Sequence, residues 1–256
     1  MLSEVFGARA QQPVAQQKDN LCGPFWAARL LRDAGIESWD GEELDEDLVA
    51  RRAGTLLPEP DDGSVPPGAV GRTDYRFELP RVDPTRSGTA AGALAEAIEQ
   101  ASGGALRCVP VRGGWTEHRV AELVDRARGA RLLANVRTGG FWGSRPGVDE
   151  LLAELRGVPV EGPPADWNVG HFCELELLVR GPGGALVLVH DSYPSLGWGA
   201  RHLQPPRAVA AALLRGDGRQ GGVLAVAAPE KSSHLEALAR DLGLEIGIWD
   251  NGTRPS

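Results

Sequence analysis

The chain has 256 residues, of which 42% are hydrophobic, enough to form the core of one large domain or two small ones. Its 27 basic and 35 acidic residues give a net charge of -8, and no run of basic residues could follow a phosphate backbone. This balance argues against nucleic acid as a partner. We expect one globular domain over residues 1–256, with a helical part at about 16–128, a sheet part at about 129–230 and a C-terminal helix and tail at 231–256.

The N-terminal residues and the cysteines favour a cytoplasmic protein. Residues 1–15 contain neither a basic region nor an apolar core of signal-peptide length, and no stretch of about eighteen apolar residues predicts a membrane span. The three cysteines include no C-x-x-C pair, and their odd number argues against a disulfide framework or a structural zinc site. We therefore expect no membrane partner, no cofactor and no metal.

Four helices and two strands are predicted before residue 137. Apolar residues at helical spacing predict helices over residues 23–34, 42–52, 89–101 and 116–128, and short apolar runs predict strands over 106–111 and 132–136. Residues 54–72 are rich in proline, glycine and acidic residues, as is typical of a long surface loop. The alternative for this segment, which continues to about residue 88, is a lid or a loop that faces the substrate.

Two apolar runs on either side of a Gly/Pro turn predict a β-hairpin over residues 171–179 and 185–191. A hairpin centred near Pro182 puts His171 opposite Tyr193, with Asp191 as a diagonal neighbour about 7–8 Å away. Strand alternation then predicts one core-facing set of side chains, comprising His171, Cys173, Leu175, Leu177, Val187, Val189 and Asp191. A helix packed on that face would meet His171 and Asp191. Helices at 205–215 and 233–242, a strand at 222–228 and a loosely packed tail from 246 complete the prediction.

The sequence QQKDNLCGPFW at residues 16–26 places Cys22 directly before an apolar helix. The first turn of a helix directs unpaired N–H groups and the positive end of the helix dipole at such a residue, which favours thiolate over thiol. Gln16 lies six residues earlier, and a side-chain amide there would donate a hydrogen bond to an oxyanion. This segment therefore predicts a reactive thiol.

The order Gln16, Cys22-Gly23, Gly170-His171-Phe172 and Asp191-Ser192 resembles the papain-like cysteine peptidases, in particular the bacteriocin-processing branch that cuts after double-glycine leaders. The resemblance covers the two ends of the fold, and residues 54–164 hardly at all. It implies an α+β papain-like fold, in which an N-terminal helical part with the nucleophile helix packs on a C-terminal antiparallel β-sheet. It also implies Cys22 as nucleophile, His171 as general acid/base, Asp191 as the residue that orients it and Gln16 as oxyanion donor.

The function expected from this constellation is a cysteine-dependent hydrolase of the cysteine peptidase type, which cleaves a peptide or amide bond through an acyl-enzyme on Cys22. Two alternatives remain open. The same acyl-enzyme could pass to an amine, as in an acyltransferase or peptide ligase, or the fold could serve as a non-catalytic binding protein.

Several residues compete with these assignments. Gln17 competes with Gln16 as oxyanion donor, and Cys22 alone is compatible with a buried core cysteine. Cys108 and Cys173 are predicted to be packed, although His171 and Cys173 share a strand face and metal binding there is a weak alternative. A larger set has no predicted role or an ambiguous one: His190 faces away from the site, His118, His202 and His234 fall on predicted polar surfaces, Asp166 and Trp167 are possible rim residues of the cleft, and Trp198 resembles a tryptophan that shields the His–acid pair.

Overall fold

A seven-stranded antiparallel sheet organises the fold in the computed structural model, which describes residues 15–60 and 64–253. The strands of the described residues are β1 (Ser38–Trp39), β2 (Glu42–Glu43), β3 (Leu57–Pro58), β4 (Arg81–Val82), β5 (Arg107–Arg112), β6 (Arg131–Arg137), β7 (Gly170–Arg180), β8 (Ala185–His190), β9 (Arg201–Gln204), β10 (Gly222–Ala227) and β11 (Glu245–Ile246). The large sheet has the order β11-β5-β10-β6-β7-β8-β9, and all of its neighbouring strands are antiparallel. The fold is thus of the mixed α+β class.

Helices cover both faces of this sheet. The α-helices of the described residues are α1 (Cys22–Asp33), α2 (Glu46–Arg52), α3 (Ala91–Ala101), α4 (Glu117–Arg126), α5 (Val148–Leu155), α6 (Pro206–Leu214) and α7 (Ser232–Asp241). Residues of α1, α2 and α3 form a hydrophobic core with Leu133, Phe172, Leu224 and Val226 on one face. Residues of α4, α6 and α7 form a second core with Ala134, Cys173, Val189 and Ala225 on the other. Burial on both faces explains why β6, β8 and β10 are continuous apolar runs rather than alternating ones.

The predicted elements agree with the structure except at a few positions. The hairpin register is confirmed at the base, where Glu174 pairs with His190 and Leu175 with Val189, but a bulge between Leu175 and Leu177 reverses the alternation beyond it. Leu177 therefore packs with Leu186 and Leu188 on the opposite face from Cys173, so its predicted face was wrong. Residues 42–45 precede α2 instead of belonging to it, and helix α5, strand β9 and the two-residue strands β1–β4 and β11 were not predicted.

Two expectations about packing also need correction. Helix α1 packs on the Phe172 face of the sheet, whereas Cys173, the neighbour of His171 in strand alternation, lies on the other face. The tail packs tightly rather than loosely: the Trp249 side chain is 2% exposed, and β11 pairs with β5. Strand β5, from the part predicted to be helical, and β11, from the tail, both belong to the large sheet.

Within residues 15–60 and 64–253, none of the helices combines the length and apolar composition needed to span a bilayer.

Candidate active site

Cys22 is the first residue of α1 and lines a cavity of about 440 Å³. The helix has no side-chain N-cap and no acidic residue in its first turn, so a Cys22 thiolate meets the positive end of the helix dipole without a competing anion. A Cβ at position 23 would lie 3.1 Å from Leu94 Cδ2 and 3.3 Å from Phe172 Cδ2. Gly23 thus allows the start of α1 to approach β7, the strand that carries His171.

His171 and Asp191 form the buried base–acid pair that the hairpin predicted. His171 Nε2 lies 3.2 Å from Asp191 Oδ1, and both residues are 1% exposed. The same Asp191 oxygen accepts hydrogen bonds from the backbone N–H groups of Ser192, at 2.7 Å, and Tyr193, at 3.2 Å. These contacts fix the carboxylate and orient the imidazole, and they leave Nδ1 of His171 as the ring nitrogen available to the thiol.

Cys22 and His171 line the same cavity, and each favours the charged form of the other. Burial by itself raises the pKa of the Cys22 thiol, but the hydrogen bond and charge of His171, with the backbone N–H groups of Phe172 and Gly23, lower that pKa below its ordinary value. Burial opposes protonation of His171, yet Asp191 and Cys22 raise its pKa to about 10. Burial likewise opposes ionisation of Asp191, and the neighbouring His171 outweighs it and lowers the pKa of the carboxyl. The arrangement favours a thiolate–imidazolium pair.

The two adjacent glutamines lie in different environments. Gln16 donates from Nε2 to the Val70 carbonyl oxygen at 2.6 Å and is absent from the cavity lining. Gln17 lines the cavity together with Cys22 and is 2% exposed. Its Oε1 accepts from Ser192 Oγ at 2.5 Å, and its Nε2 donates to the Lys18 carbonyl oxygen at 3.1 Å. Since Oε1 is held by Ser192, Nε2 keeps a second hydrogen that points to no acceptor among these partners, which suits an oxyanion donor. The geometry thus favours Gln17 for the role that the sequence assigned to Gln16.

A buried ion pair fixes the segment that precedes Cys22. Lys18 Nζ lies 2.6 Å from Asp47 Oδ2, and the Lys18 backbone N–H donates to Glu46 Oε2 at 3.0 Å. Both acidic residues belong to α2, which packs beside α1. Because Lys18 points to α2, the neighbouring side chain of Gln17 is turned toward the cavity. No feature of the sequence shows whether the side chain of Gln16 or that of Gln17 is the one turned toward the cavity.

His202 is a second histidine beside Asp191, and no feature of the sequence predicts this position. It is 3% exposed, and its Nε2 lies 3.9 Å from Asp191 Oδ2. Gln204 Oε1 accepts from the Trp142 backbone N–H at 2.8 Å, and Gln204 Nε2 donates to the Trp142 carbonyl oxygen at 3.1 Å, which fixes the amide orientation. Gln204 Nε2 therefore donates at 2.9 Å to His202 Nδ1, and the proton of the neutral ring is on Nε2, facing Asp191. The expectation of a surface position for His202 was wrong.

Aromatic side chains cover the base–acid pair. The ring of Trp167 lies 5.2 Å from that of His171 and 5.4 Å from that of Tyr193, both edge-on. Trp167 Nε1 donates to Ser64 Oγ at 3.1 Å, so the loop after residue 60 is tied to this cover. Trp198, by contrast, is 43% exposed and does not line the cavity. Trp167 therefore occupies the position that the resemblance suggested for Trp198.

The other two cysteines lie in apolar surroundings. Burial, with the nearby charge of Glu99, raises the pKa of Cys108 to about 12, and burial with Asp191 raises the pKa of Cys173 well above its ordinary value. The described part of the chain brings no three His, Cys, Asp or Glu side chains into a metal-binding group. His190 faces away from the cavity, with its Nδ1 3.7 Å from Glu174 Oε2.

The cavity lining also includes residues for which the sequence predicted no individual role. It includes three arginines, four residues of the 54–88 segment and two of the tail: Arg137, Arg215, Arg219, Ser64, Pro84, Ser87, Gly88, Asn251 and Thr253. Described residues of the long loop therefore form part of the cavity wall. The arginines belong to separate elements, and no spacing in the sequence relates them to one another.

Comparison with known proteins gives one match. The model of a family described as a family of unknown function (DUF6885) matches residues 7–250, which is most of the chain. No curated protein and no solved structure matches the chain.

Proposed function

This chain belongs to the DUF6885 family, and because that is a family of unknown function, we propose its activity from the site itself. The protein is a cysteine-dependent hydrolase that cleaves a peptide or amide bond through an acyl-enzyme on Cys22. One observation carries the proposal: Cys22 and His171 line the same cavity and interact with each other, and Asp191 lies 3.2 Å from the His171 ring behind the cavity wall. The similarity to papain-like peptidases is part of the same proposal.

In the first half-reaction, the Cys22 thiolate attacks the carbonyl carbon of the substrate and forms a C–S bond. The negative charge passes to the carbonyl oxygen, where Gln17 Nε2 and the N–H groups at the start of α1 are positioned as donors. The imidazolium of His171 then gives its proton to the leaving nitrogen as the C–N bond breaks. The products of this step are a free amine and a thioester on Cys22.

In the second half-reaction, neutral His171 takes a proton from water, and the resulting hydroxide attacks the thioester carbonyl carbon. The C–S bond breaks, a carboxylic acid is released, and the thiolate–imidazolium pair is restored. Asp191 keeps the imidazole in one orientation during both proton transfers. Because the cavity is lined mostly by polar side chains, water has access to the acyl-enzyme, and we propose hydrolysis rather than transfer to an amine.

The proposal is tested first by the rate at which iodoacetamide alkylates each cysteine at pH 6, followed by peptide mass spectrometry. Ordinary thiols are almost entirely protonated at this pH, so a thiolate at Cys22 should react at least tenfold faster than Cys108 and Cys173 in the same molecule. The variant His171→Ala should lose this advantage. Labelling of Cys22 that is no faster than that of the other two cysteines contradicts the proposal.

Acyl chemistry is tested separately with p-nitrophenyl esters as activated acyl donors. Intact mass should show one acyl group on the wild-type chain at early times and none on Cys22→Ser, and added amine should not divert most of the product from the free acid. Transfer of most acyl groups to millimolar amine would identify a transferase instead. A reactive Cys22 that is never acylated would favour a non-catalytic binding protein.

A further inference from the structure

The lining of the cavity that contains Cys22 includes three arginines, in a protein whose net charge is -8. Arg137, Arg215 and Arg219 line it, and among residues 15–60 and 64–253 no aspartate or glutamate does. A cavity lined by one sign of charge concentrates ligands of the opposite sign. The charge of the described cavity lining is therefore opposite in sign to the net charge of the molecule.

Arg215 forms a fixed base for this wall. Its side chain is 2% exposed, and its backbone has the left-handed φ of 51°, which a non-glycine residue adopts only at a cost in energy. Its Nη1 donates to Asn135 Oδ1 at 3.1 Å, and Asn135 Nδ2 donates to the His171 carbonyl oxygen at 3.4 Å. The guanidinium is thus held in a defined position relative to the strand that carries the general base.

Too few carboxylates face these arginines to neutralise them. Asp217 Oδ2 lies 2.8 Å from Arg215 Nη2 and 3.6 Å from Arg137 Nη1. Arg219 donates from Nη2 to the Thr85 carbonyl oxygen, and no ion pair joins it to a carboxylate in the described residues. Counted over the described part of the chain, three guanidinium groups and one carboxylate leave two positive charges at the cavity wall.

We propose that this arginine wall binds an anionic group of the substrate, a carboxylate or a phosphate, a few bonds from the carbonyl that Cys22 attacks. The inference rests on the proposed function, and it defines the substrate class as acidic peptides or amides. Guanidinium groups bind such anions through paired, charge-assisted hydrogen bonds. The hydroxyl and amide groups of Ser87, Thr253 and Asn251 in the same lining supply further polar partners for the anion.

The test uses alkylating probes that differ only in their distal group. N-iodoacetyl-β-alanine carries a carboxylate, its primary amide is the neutral match, and N-iodoacetyl-aminoethyl phosphate is the phosphate arm. The carboxylate or the phosphate probe should alkylate Cys22 about tenfold faster than the neutral amide, as expected of charge-assisted hydrogen bonds. Salt should reduce this ratio. The ratio of the charged-probe rate to the neutral-probe rate is compared between variants, because a change in the reactivity of the Cys22 thiol alters both rates equally and cancels in the ratio.

The variant Arg219→Gln should bring the ratio close to one. Arg180→Gln is the matched control, because it removes the same charge from an exposed arginine at the tip of the β7–β8 hairpin and should leave the ratio unchanged. Equal rates for the charged and neutral probes, with rapid labelling of Cys22 by iodoacetamide, would overturn this inference and leave the proposed function intact. Slow labelling by every probe would instead overturn the proposed function.

Discussion

At the scale of single residues, the candidate nucleophile, base and acid follow from the sequence, whereas the oxyanion donor does not. His171 and Asp191 were deduced to be neighbours from hairpin parity, and their side chains are 3.2 Å apart. The choice between Gln16 and Gln17 depends on the buried contact of Lys18 with Asp47, which joins segments 29 residues apart. Long-range ion pairs of this kind have no local signature in a sequence.

The adjacent glutamines provide a prediction with its control built in. Replacing Gln17 with alanine should reduce the rate of acyl-enzyme formation by about 10²- to 10³-fold, because an oxyanion donor is lost. Gln16→Ala should change that rate by less than about threefold, since its amide donates to the Val70 carbonyl oxygen. The measurement is the rate of p-nitrophenol release, with urea unfolding to verify that both variants are folded. The reverse order of effects would restore Gln16 to the oxyanion role.

The pH dependence of acylation should report the coupled pair. Acylation requires the Cys22 thiolate and protonated His171, so the rate should rise above the lowered pKa of Cys22 and fall as pH passes the pKa of His171, about 10. Removing the negative charge with Asp191→Asn lowers the pKa of His171, and the weaker cation then raises the pKa of Cys22. The active range should therefore narrow from both sides. A profile that keeps its width in this variant would contradict the coupling.

At the scale of elements, the bulge in β7 marks the point beyond which strand alternation no longer predicts which face of the sheet a side chain occupies. The alternation of β7 is correct up to Leu175 and reverses at Leu177, because the extra residue shifts the register with β8. The face covered by α1 was mispredicted for a different reason. An alternating pattern was assumed to have one buried side, but Glu174 and His190 on the other side are buried too, at 3% and 1% exposure.

Glu174 is central to that second buried face. Arg131 donates from Nη2 to Glu174 Oε2 at 2.9 Å, and the His190 ring, which shares this carboxylate, lies 4.9 Å from that of Trp26 on α1. Replacing Glu174 with glutamine should reduce the free energy of unfolding by about 3 kcal/mol, because it breaks the ion pair between this buried carboxylate and half-buried Arg131. Urea unfolding measures the change. Glu245→Gln, which removes an exposed partner of Arg112, should cost less than about 1 kcal/mol.

The same carboxylate contributes to acid sensitivity. Burial raises the pKa of Glu174, but hydrogen bonds from His190 and Arg131 outweigh it and lower that pKa to about 2. The stabilisation is complete above the ordinary pKa of 4.5 and is lost as pH falls toward about 2. The stability difference between wild type and Glu174→Gln, measured by urea unfolding, should therefore shrink over this interval. A difference independent of pH would contradict this assignment.

At the scale of the whole molecule, the tail completes both the core and the cavity. Trp249 packs on β10, and its Nε1 donates to Asn135 Oδ1 at 3.3 Å. Asn251 Nδ2 donates to the Thr89 carbonyl oxygen at 2.9 Å, and Thr253 Oγ1 donates to the Ser87 carbonyl oxygen at the same distance. The polar composition of residues 246–256 predicts a loosely packed tail. That prediction is wrong because the hydrogen-bond partners of Asn251 and Thr253 lie on loops about 160 residues away, where no local pattern reveals them.

The packing of Trp249 leads to a prediction about two glycines. A Cβ at Gly222 would lie 2.4 Å from Trp249 Cε3, whereas a Cβ at Gly216 would meet nothing within 4 Å. Gly222→Ala should displace the indole and reduce the free energy of unfolding by about 1–3 kcal/mol, as overpacking does. Gly216→Ala should leave stability nearly unchanged. Equal melting temperatures for the two variants would show that the tail is not held as described.

The span of the cavity lining has a consequence for how the protein is made. Its walls include residues from Gln17 to Thr253, so translation must reach residue 253 before the cavity can close. A nascent chain on the ribosome carries Cys22 without the β7–β8 hairpin until about 170 further residues have been added. Under the proposed function, the thiol acquires its hydrolytic competence only after both the hairpin and the cavity wall have been synthesised.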